Sequence, residues 1–432
     1  MSPISESSLK STKFPSEWVA SKLGNEVESI IGGGTPSKDI AAYWGGDIPW
    51  ASVKDLTGTR LHRTQDYITS KAIQNSATNL IPAGTLITPT RMALGRVAIF
   101  DCDVAINQDL KAIFPKASLA TEYLLHWFQD NAARIEAAGT GSTVKGIRLE
   151  TLRDFSLLLP PLQEQRKIAN ILTAVDDKLD VIARQIEATQ TLKQGLMQML
   201  FSRGVGTQDT DGRWVPHAEF KDSELGKIPA GWDVAEIKTI AEVIRGASPR
   251  PQGDPRYYGG NIPRLMGADV TRDGKWVTPQ IDFLTQEGAR RSRPCPKGTL
   301  TIICSGDVGI PSFLAVDACI HDGFLALINI DEAHTSKNYL YHVIASLKQR
   351  FDASATHGGV FTNLTTTILK EFRLPLPSIT EQEKIAAALD TADEKLAVAK
   401  RKYQHYQTLK RGLMQKLLTG EWRVKVDTAM AA

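Results

Sequence analysis

The 432-residue sequence has little of what the commoner functional classes require. Its four cysteines, Cys102, Cys295, Cys304 and Cys319, form no Cys-x-x-Cys pair and have no histidine at metal-ligand spacing. Thiols scattered in this way read as reduced side chains, not as a disulfide framework or a zinc module. No uncharged apolar run approaches the ~18 residues of a membrane-spanning helix. Residues 1–13 are polar and Ser-rich, without the apolar core of a secretory leader, so a cytoplasmic protein is expected. Neither sign of charge dominates, the net being +3. Basic and acidic side chains are matched in 1–160, in 161–214 and in 215–377, and only 378–432 has a small basic excess. Bulk charge thus gives no sign of a nucleic-acid partner, and a basic face must come from segregation in space.

Catalytic signatures are also missing. Gly32-Gly-Gly34 is not followed by Gly-Lys-Ser/Thr and opens no helix pattern, which excludes a phosphate loop. The eight histidines make no His-x-x-x-His or His-Glu pairing suited to zinc. There is no Gly-x-Ser-x-Gly elbow. There is no Asn/Asp-Pro-Pro-Phe/Tyr, the tetrapeptide with which methyltransferases grip a flipped adenine. Asp109-Leu-Lys111, Asp176-Asp-Lys178 and Glu236-Ile-Lys238 have the form of nuclease triplets but lack an upstream Pro-Asp partner. No catalytic, metal or cofactor-binding residue is assigned.

What the sequence has is a repeat. Thr191-Leu-Lys-Gln-Gly-Leu-Met-Gln-Met-Leu200 returns as Thr408-Leu-Lys-Arg-Gly-Leu-Met-Gln-Lys-Leu417, with eight of ten positions identical. In the first copy Ile168, Leu172, Val175, Leu179, Ile182 and Ile186 alternate steps of four and three, the repeat of a coiled-coil seam. The pattern slips at Thr189 and resumes at Leu192, Leu196 and Leu200, with Gly204 as the stop. The second copy runs Ile385, Leu389, Ala392, Leu396, Ala399, Tyr403, Leu409, Leu413 and Leu417 to Gly420. Thr380-Glu-Gln-Glu383 is read as its capping box. Each helix spans roughly 60 Å at ~1.5 Å per residue and cannot bury its stripe alone, so the two are expected to pair.

Each helix follows a globular unit. Trp18 matches Trp232, Tyr43-Trp-Gly-Gly-Asp-Ile-Pro49 matches Tyr257-Tyr-Gly-Gly-Asn-Ile-Pro263, Gly84-Thr-Leu86 matches Gly298-Thr-Leu300, and Gly95 matches Gly309. Gly84–Thr88 and Gly95–Phe100 read as strands, and Ala120–Ala138 as an amphipathic helix on a sheet. The class is α+β. The expected organisation is a disordered segment 1–14, domain 15–160, helix 161–204, polar linker 205–229, domain 230–378, helix 379–420 and tail 421–432.

The two copies diverge between their frame residues. Gly32–Lys38 stands against Arg245–Pro251, Thr88–Met92 against Ile302–Gly306, and Gly139–Lys145 against Thr356–Thr362. These loops are rich in groups that donate to phosphate and base edges. The candidates for a DNA contact are Thr35, Ser37, Lys38, Arg91, Arg96, Thr140, Ser142, Lys145 and Arg148 in the first copy. In the second they are Arg245, Ser248, Arg250, Arg256, Arg264, Ser305, His357 and Asn363.

With these features in view, the chain resembles the specificity subunit of a type I restriction–modification system. The resemblance rests on Leu159-Pro-Pro-Leu-Gln-Glu-Gln165 and Leu374-Pro-Leu-Pro-Ser-Ile-Thr-Glu-Gln382, which open the helices. It rests also on Gly195-Leu-Met-Gln198 and Gly412-Leu-Met-Gln415, and on Phe220-Lys-Asp-Ser-Glu-Leu-Gly-Lys-Ile-Pro229. It implies two similar target-recognition domains separated by two long antiparallel helices in a coiled coil with pseudo-two-fold symmetry. Each domain then reads one half of a bipartite double-stranded DNA site, and the helices set the gap and dock two methyltransferase subunits. Two translocase–nuclease subunits can join. S-adenosylmethionine, ATP and Mg2+ belong to those partners. The competing readings are a scaffold whose paired helices bind proteins without reading DNA, and a self-sufficient restriction or modification enzyme. The missing motifs speak against the enzyme.

Overall fold

The computed structural model describes residues 14–141, 144–354, 356–357 and 362–425. The disorder expected for 1–14 falls, apart from Phe14, outside the described residues, as does Ser142; the side chain of His357 is likewise not described. The chain divides into two units, Met1–Arg184 with Lys400–Ala432 and Gln185–Ala399. Each long helix is therefore shared, its first half in one unit and its second half in the other.

In the first unit Val19–Lys22 pairs antiparallel with Ser156–Leu159, closing the two ends of the domain onto each other. A five-stranded sheet runs in the order Val27–Gly32, Leu110–Pro115, Leu86–Pro89, Ala98–Phe100 and Arg60–Leu61. A four-stranded sheet follows as Asp66–Ile68, Trp44–Ala51, Val104–Ile106 and Asn79–Ile81. The helix expected over 120–138 is two helices, Thr121–Asp130 and Ala132–Ala137, interrupted at Asn131, whose amide donates to the Trp127 carbonyl at 2.9 Å. Its apolar face places Tyr123, Leu124, Leu125 and Phe128 in one cluster with Trp18, Ile168, Leu172, Met414 and Leu417. Burial of such side chains is worth about 1.5–3 kcal/mol each, so the long-helix segments are core elements of this unit.

The second unit repeats the plan. Asp233–Glu236 pairs with Arg373–Leu376, and the five- and four-stranded sheets recur in the same order. The strand-opening glycines play one role in both copies. Gly84 and Gly298 have φ of +79° and +81°, and their amides donate to Phe100 and Leu314 at 2.8 Å. Only glycine takes that backbone cheaply.

The first long helix runs Leu162–Arg203 and the second Ile379–Leu417. Within the first unit Glu164 meets Arg423 and Asp176 meets Lys410, so the helix halves run antiparallel. Within the second, Lys193 meets Asp393 and Glu381 accepts from the amides of Val205 and Gly206, again antiparallel. Ile168, Leu172, Val175, Leu179, Ile182, Leu200, Ile385, Leu389, Ala392 and Leu417 are buried as the seam requires. Leu192 and Leu409 are not; they are 60% and 42% exposed. The next residues, Lys193 after the slip at Thr189 and Lys410 after the matching break between Tyr403 and Leu409, face inward to Asp393 and Asp176. An ion pair holds the place that the heptad pattern gave to leucine.

The Glu-Gln dipeptide that opens each helix is the joint between helix and domain. Glu164 accepts from Trp18 Nε1 at 3.1 Å and from Arg423 at 2.8 and 3.0 Å. Glu381 accepts from Trp232 Nε1 at 2.8 Å, from Val205 and Gly206 amides, and pairs with His217 Nε2 at 3.0 Å. Gln165 and Gln382 each accept one backbone amide, from Ala120 and Ser336, and donate to two carbonyls. The expected capping box at Thr380–Glu383 does not form. The helix begins at Ile379, so Thr380 is already inside it, and Ser378 takes the Glu381 and Gln382 amides. The stretch 205–229, expected as a linker, folds into two hairpins, Thr207–Gln208 with Trp214–Val215 and Phe220–Ser223 with Gly226–Pro229.

Candidate nucleic-acid interface

In each unit the strand register brings the divergent loops to one end of the five-stranded sheet. In the first unit Gly32 lies opposite Lys111, and Leu110 opposite Pro89. The loops after Gly32 and after Pro89 and the turn Asn107–Asp109 therefore leave the sheet side by side. The segment 139–148 is stitched to them by bridges of Gly146 with Arg91 and Thr140, and by the Met92 amide on the Lys145 carbonyl at 2.9 Å. Met92 and Ala93 have φ of 56° and 29°, a strained turn held by these bonds. Gly33 and Gly34 are required by close approach: a Cβ on Gly33 would lie 1.8 Å from the Ile106 carbonyl oxygen.

This arrangement gathers Thr35, Arg91, Thr140 and Lys145, all exposed, on one face, with Ser37 and Lys38 continuing the first loop. Arg148 is exposed at the head of helix Leu149–Arg153. Arg96 is placed elsewhere. Its guanidinium donates to the Leu56 carbonyl at 3.2 Å and lines a groove with Thr57, Lys410 and Arg411. Gln108 and Asp109 were not among the expected residues. Gln108 Oε1 accepts from Thr35 Oγ1 at 2.5 Å, and Asp109 lies 3.8 Å from Arg91.

The second unit repeats the geometry with other side chains. Arg245 lies opposite Leu325, Ile303 opposite Phe324, and Ser305 bridges Asn363. Ser248 and Arg250 bind Asp322 at 2.9 and 3.3 Å, and Arg245 Nε donates to the Asp322 carbonyl at 3.0 Å. The bond between Thr35 and Gln108 is thus matched by that between Ser248 and Asp322, but one unit presents a carboxamide and the other a carboxylate. Burial works against the Asp322 carboxylate, yet Ser248 and His321 hold its pKa below the ordinary value. Burial lowers the pKa of His321.

Arg264 is a correction. It is 5% exposed, bonded to Asp282 at 2.5 Å and to Ser248 at 3.2 Å, with its guanidinium over the Tyr258 ring. Its guanidinium is committed to these partners and is not presented on the exposed face. Arg256 is exposed but paired with Asp254 at 2.7 Å. Gln108 and Asp322 carry a weak signal in the sequence: both lie in turns where the copies differ, between strands where they agree.

Among the described residues, one group of side chains has the elements to hold a metal: His342, Asp390 and Asp393 in the second unit. His342 is fully buried and its Nδ1 has no hydrogen-bond partner. Both carboxylates, however, already carry an ammonium, Lys275 on Asp390 and Lys193 on Asp393. The group is neutralised from within, and a cation would have to displace two lysines.

With this geometry in hand, comparison with known proteins is specific. The family described as "Type I restriction modification DNA specificity domain" matches residues 15–190 and again 229–405. The chain is similar to the type I restriction enzyme MjaIX specificity subunit of Methanocaldococcus jannaschii, 31% identical over 58% of this chain and 57% of that protein. It is also similar to the putative MjaX specificity subunit of the same organism, 26% identical over 97% and 98%. Among solved structures, the type I restriction–modification S subunit of M. genitalium has a TM-score of 0.60 at 17% identity, covering 94% of this chain and 98% of that one. The likeness to that structure is one of fold.

Proposed function

The chain belongs to the type I restriction–modification DNA specificity family, a non-catalytic, DNA-recognising subunit, and from that premise we propose how it performs the task. Each unit reads one half of a bipartite, asymmetric site, through the loops gathered at the end of its five-stranded sheet. The observation that carries this is the contrast between frame and face. The same strand register and the same loop-to-loop bonds recur in both units, while the exposed side chains on them differ. A common scaffold with two different faces suits two different half-sites better than one palindrome. The long helices set the spacing between half-sites, and two methyltransferase subunits dock on them. Leu192 and Leu409, exposed at matching positions, suit that docking. Two translocase–nuclease subunits complete a restricting complex, and S-adenosylmethionine, ATP and Mg2+ are held by the partners.

Co-expression with the methyltransferase subunit, followed by capture and footprinting on duplex DNA, tests the proposal. The expected result is a complex that protects two short tracts separated by an unprotected gap. Capture of the partner without sequence-dependent protection favours the scaffold reading instead.

A further inference from the structure

The two faces differ most in arginine. In the second unit a continuous set of contacts links five arginines. Arg256 and Arg291 lie over the Tyr257 ring at 5.2 and 4.7 Å. Two residues beyond Arg291, Arg293 Nε donates to the Arg245 carbonyl at 3.3 Å. Arg245 in turn donates to the Asp322 carbonyl, and Asp322 pairs with Arg250. Asp254, Glu287 and Asp322 offset three of the five. Arg245 and Arg293 make no ion pair among the described residues. Each uses only its Nε, on a carbonyl, and leaves the terminal nitrogens of its guanidinium fork to solvent. A guanidinium fork left open in this way fits a phosphate.

The first unit has the same backbone without these arginines, and Lys111, whose ammonium lies beside Gly32, is bonded to the Gln108 and Leu110 carbonyls. Asn79 Nδ2 donates to the Gly32 carbonyl at 2.7 Å, the counterpart of the Arg293–Arg245 bond. Thr69 Oγ1 donates to the Ala42 carbonyl as Thr285 Oγ1 does to that of Arg256. Gly32, Ala42 and Asn79 thus stand where the second unit has Arg245, Arg256 and Arg293. Ser37 and Asn75 stand where it has Arg250 and Arg291.

We propose that Arg245 and Arg293, flanked by Arg250, Arg256 and Arg291, form a DNA-phosphate track that the first unit lacks, so that the duplex backbone is anchored chiefly by the second unit. The track supplies affinity without reading sequence, and the first unit relies more on its base contacts. This rests on the DNA-recognition reading above.

The test uses the full chain assembled with its methyltransferase subunit, and a duplex carrying its site, with binding titrated between about 50 and 200 mM salt. Each phosphate contact adds roughly 0.9 to the slope of log affinity against log salt. The double variant Arg245→Ala/Arg293→Ala should make the slope shallower by about 1.8, with the preferred sequence unchanged. The variant Asn79→Arg places a guanidinium on the matching carbonyl of the first unit and should steepen the slope by about 0.9. Thermal unfolding of each variant separates a folding defect from a binding one, and Asn79→Arg reads a gain that misfolding cannot mimic. Unchanged slopes in both variants, with normal site-specific binding, overturn the track and leave the recognition reading intact. A changed base preference in the double variant also overturns it, because those arginines then read bases. Absence of sequence-dependent binding by the unaltered complex refutes the recognition reading itself.

Discussion

The joint between the second domain and its helix makes a stability prediction that can be worked through. Glu381 is 2% exposed and meets Trp232 Nε1, His217 Nε2 and the Val205 and Gly206 amides, all between 2.8 and 3.2 Å. Substitution Glu381→Gln keeps the shape and one acceptor oxygen, but turns the other end into a donor aimed at donors. A buried group left unpaired costs about 1–3 kcal/mol, so at least one broken contact and one clash predict a loss of roughly 2–4 kcal/mol. Glu381→Ala orphans every donor and should cost more, on the order of 3–5 kcal/mol. Urea unfolding followed by tryptophan fluorescence is the assay, since Trp232 lies at the joint itself. A double-mutant cycle with Trp232→Phe should return a coupling of about 1–3 kcal/mol. Stability of Glu381→Gln within ~0.5 kcal/mol of the parent would refute the reasoning, because this is the range of substitutions that break nothing.

Further outcomes follow from the same contacts. Leu192→Ala and Leu409→Ala should leave stability within ~0.5 kcal/mol while weakening capture of the methyltransferase subunit, whereas Ile182→Ala should cost about 2–5 kcal/mol; urea midpoints and pull-downs read both. Gly33→Ala should abolish the first face by driving a methyl into the Ile106 carbonyl, seen as lost site-specific binding. His126 and His342 are fully buried, and burial lowers the pKa of each against the pull of Gln129 and Asp176 in one case and Asp390 and Asp393 in the other; Lys410 and Lys275 add to the lowering. Because their folded-state pKa lies below the unfolded value of about 6.5, the stability they confer is complete above that pH and is lost as pH falls below it. Urea midpoints should therefore drop from pH 7.5 towards pH 5.5, and less steeply in the variant His126→Asn/His342→Asn.

The repeat, the class of fold and the long helices were legible because they rest on local patterns: heptad spacing, strand-opening glycines and matched turn residues. The seam failed at Leu192 and Leu409 because a slip in register costs nothing in composition; only the partner helix reveals that Lys193 and Lys410 face a carboxylate. The capping box failed because the helix begins at Ile379, so that Thr380 already lies within its first turn. Among the candidates for DNA contact, Arg91 and Lys145 come together within the first unit, and Arg245 and Arg250 within the second, because their loops leave neighbouring strands. Arg264 has the same residue type, yet its strand buries it against Asp282. The pairing of Gln108 with Thr35 and of Asp322 with Ser248 depends on strand order, which no short-range pattern carries.

The central claim is that one chain reads two different half-sites with two faces on a common frame. Mapping methylated adenines in DNA from cells that carry this subunit with its methyltransferase tests it most directly. An interrupted, asymmetric two-part motif with a fixed gap is the predicted result. A continuous motif, a palindrome, or no motif at all would contradict it.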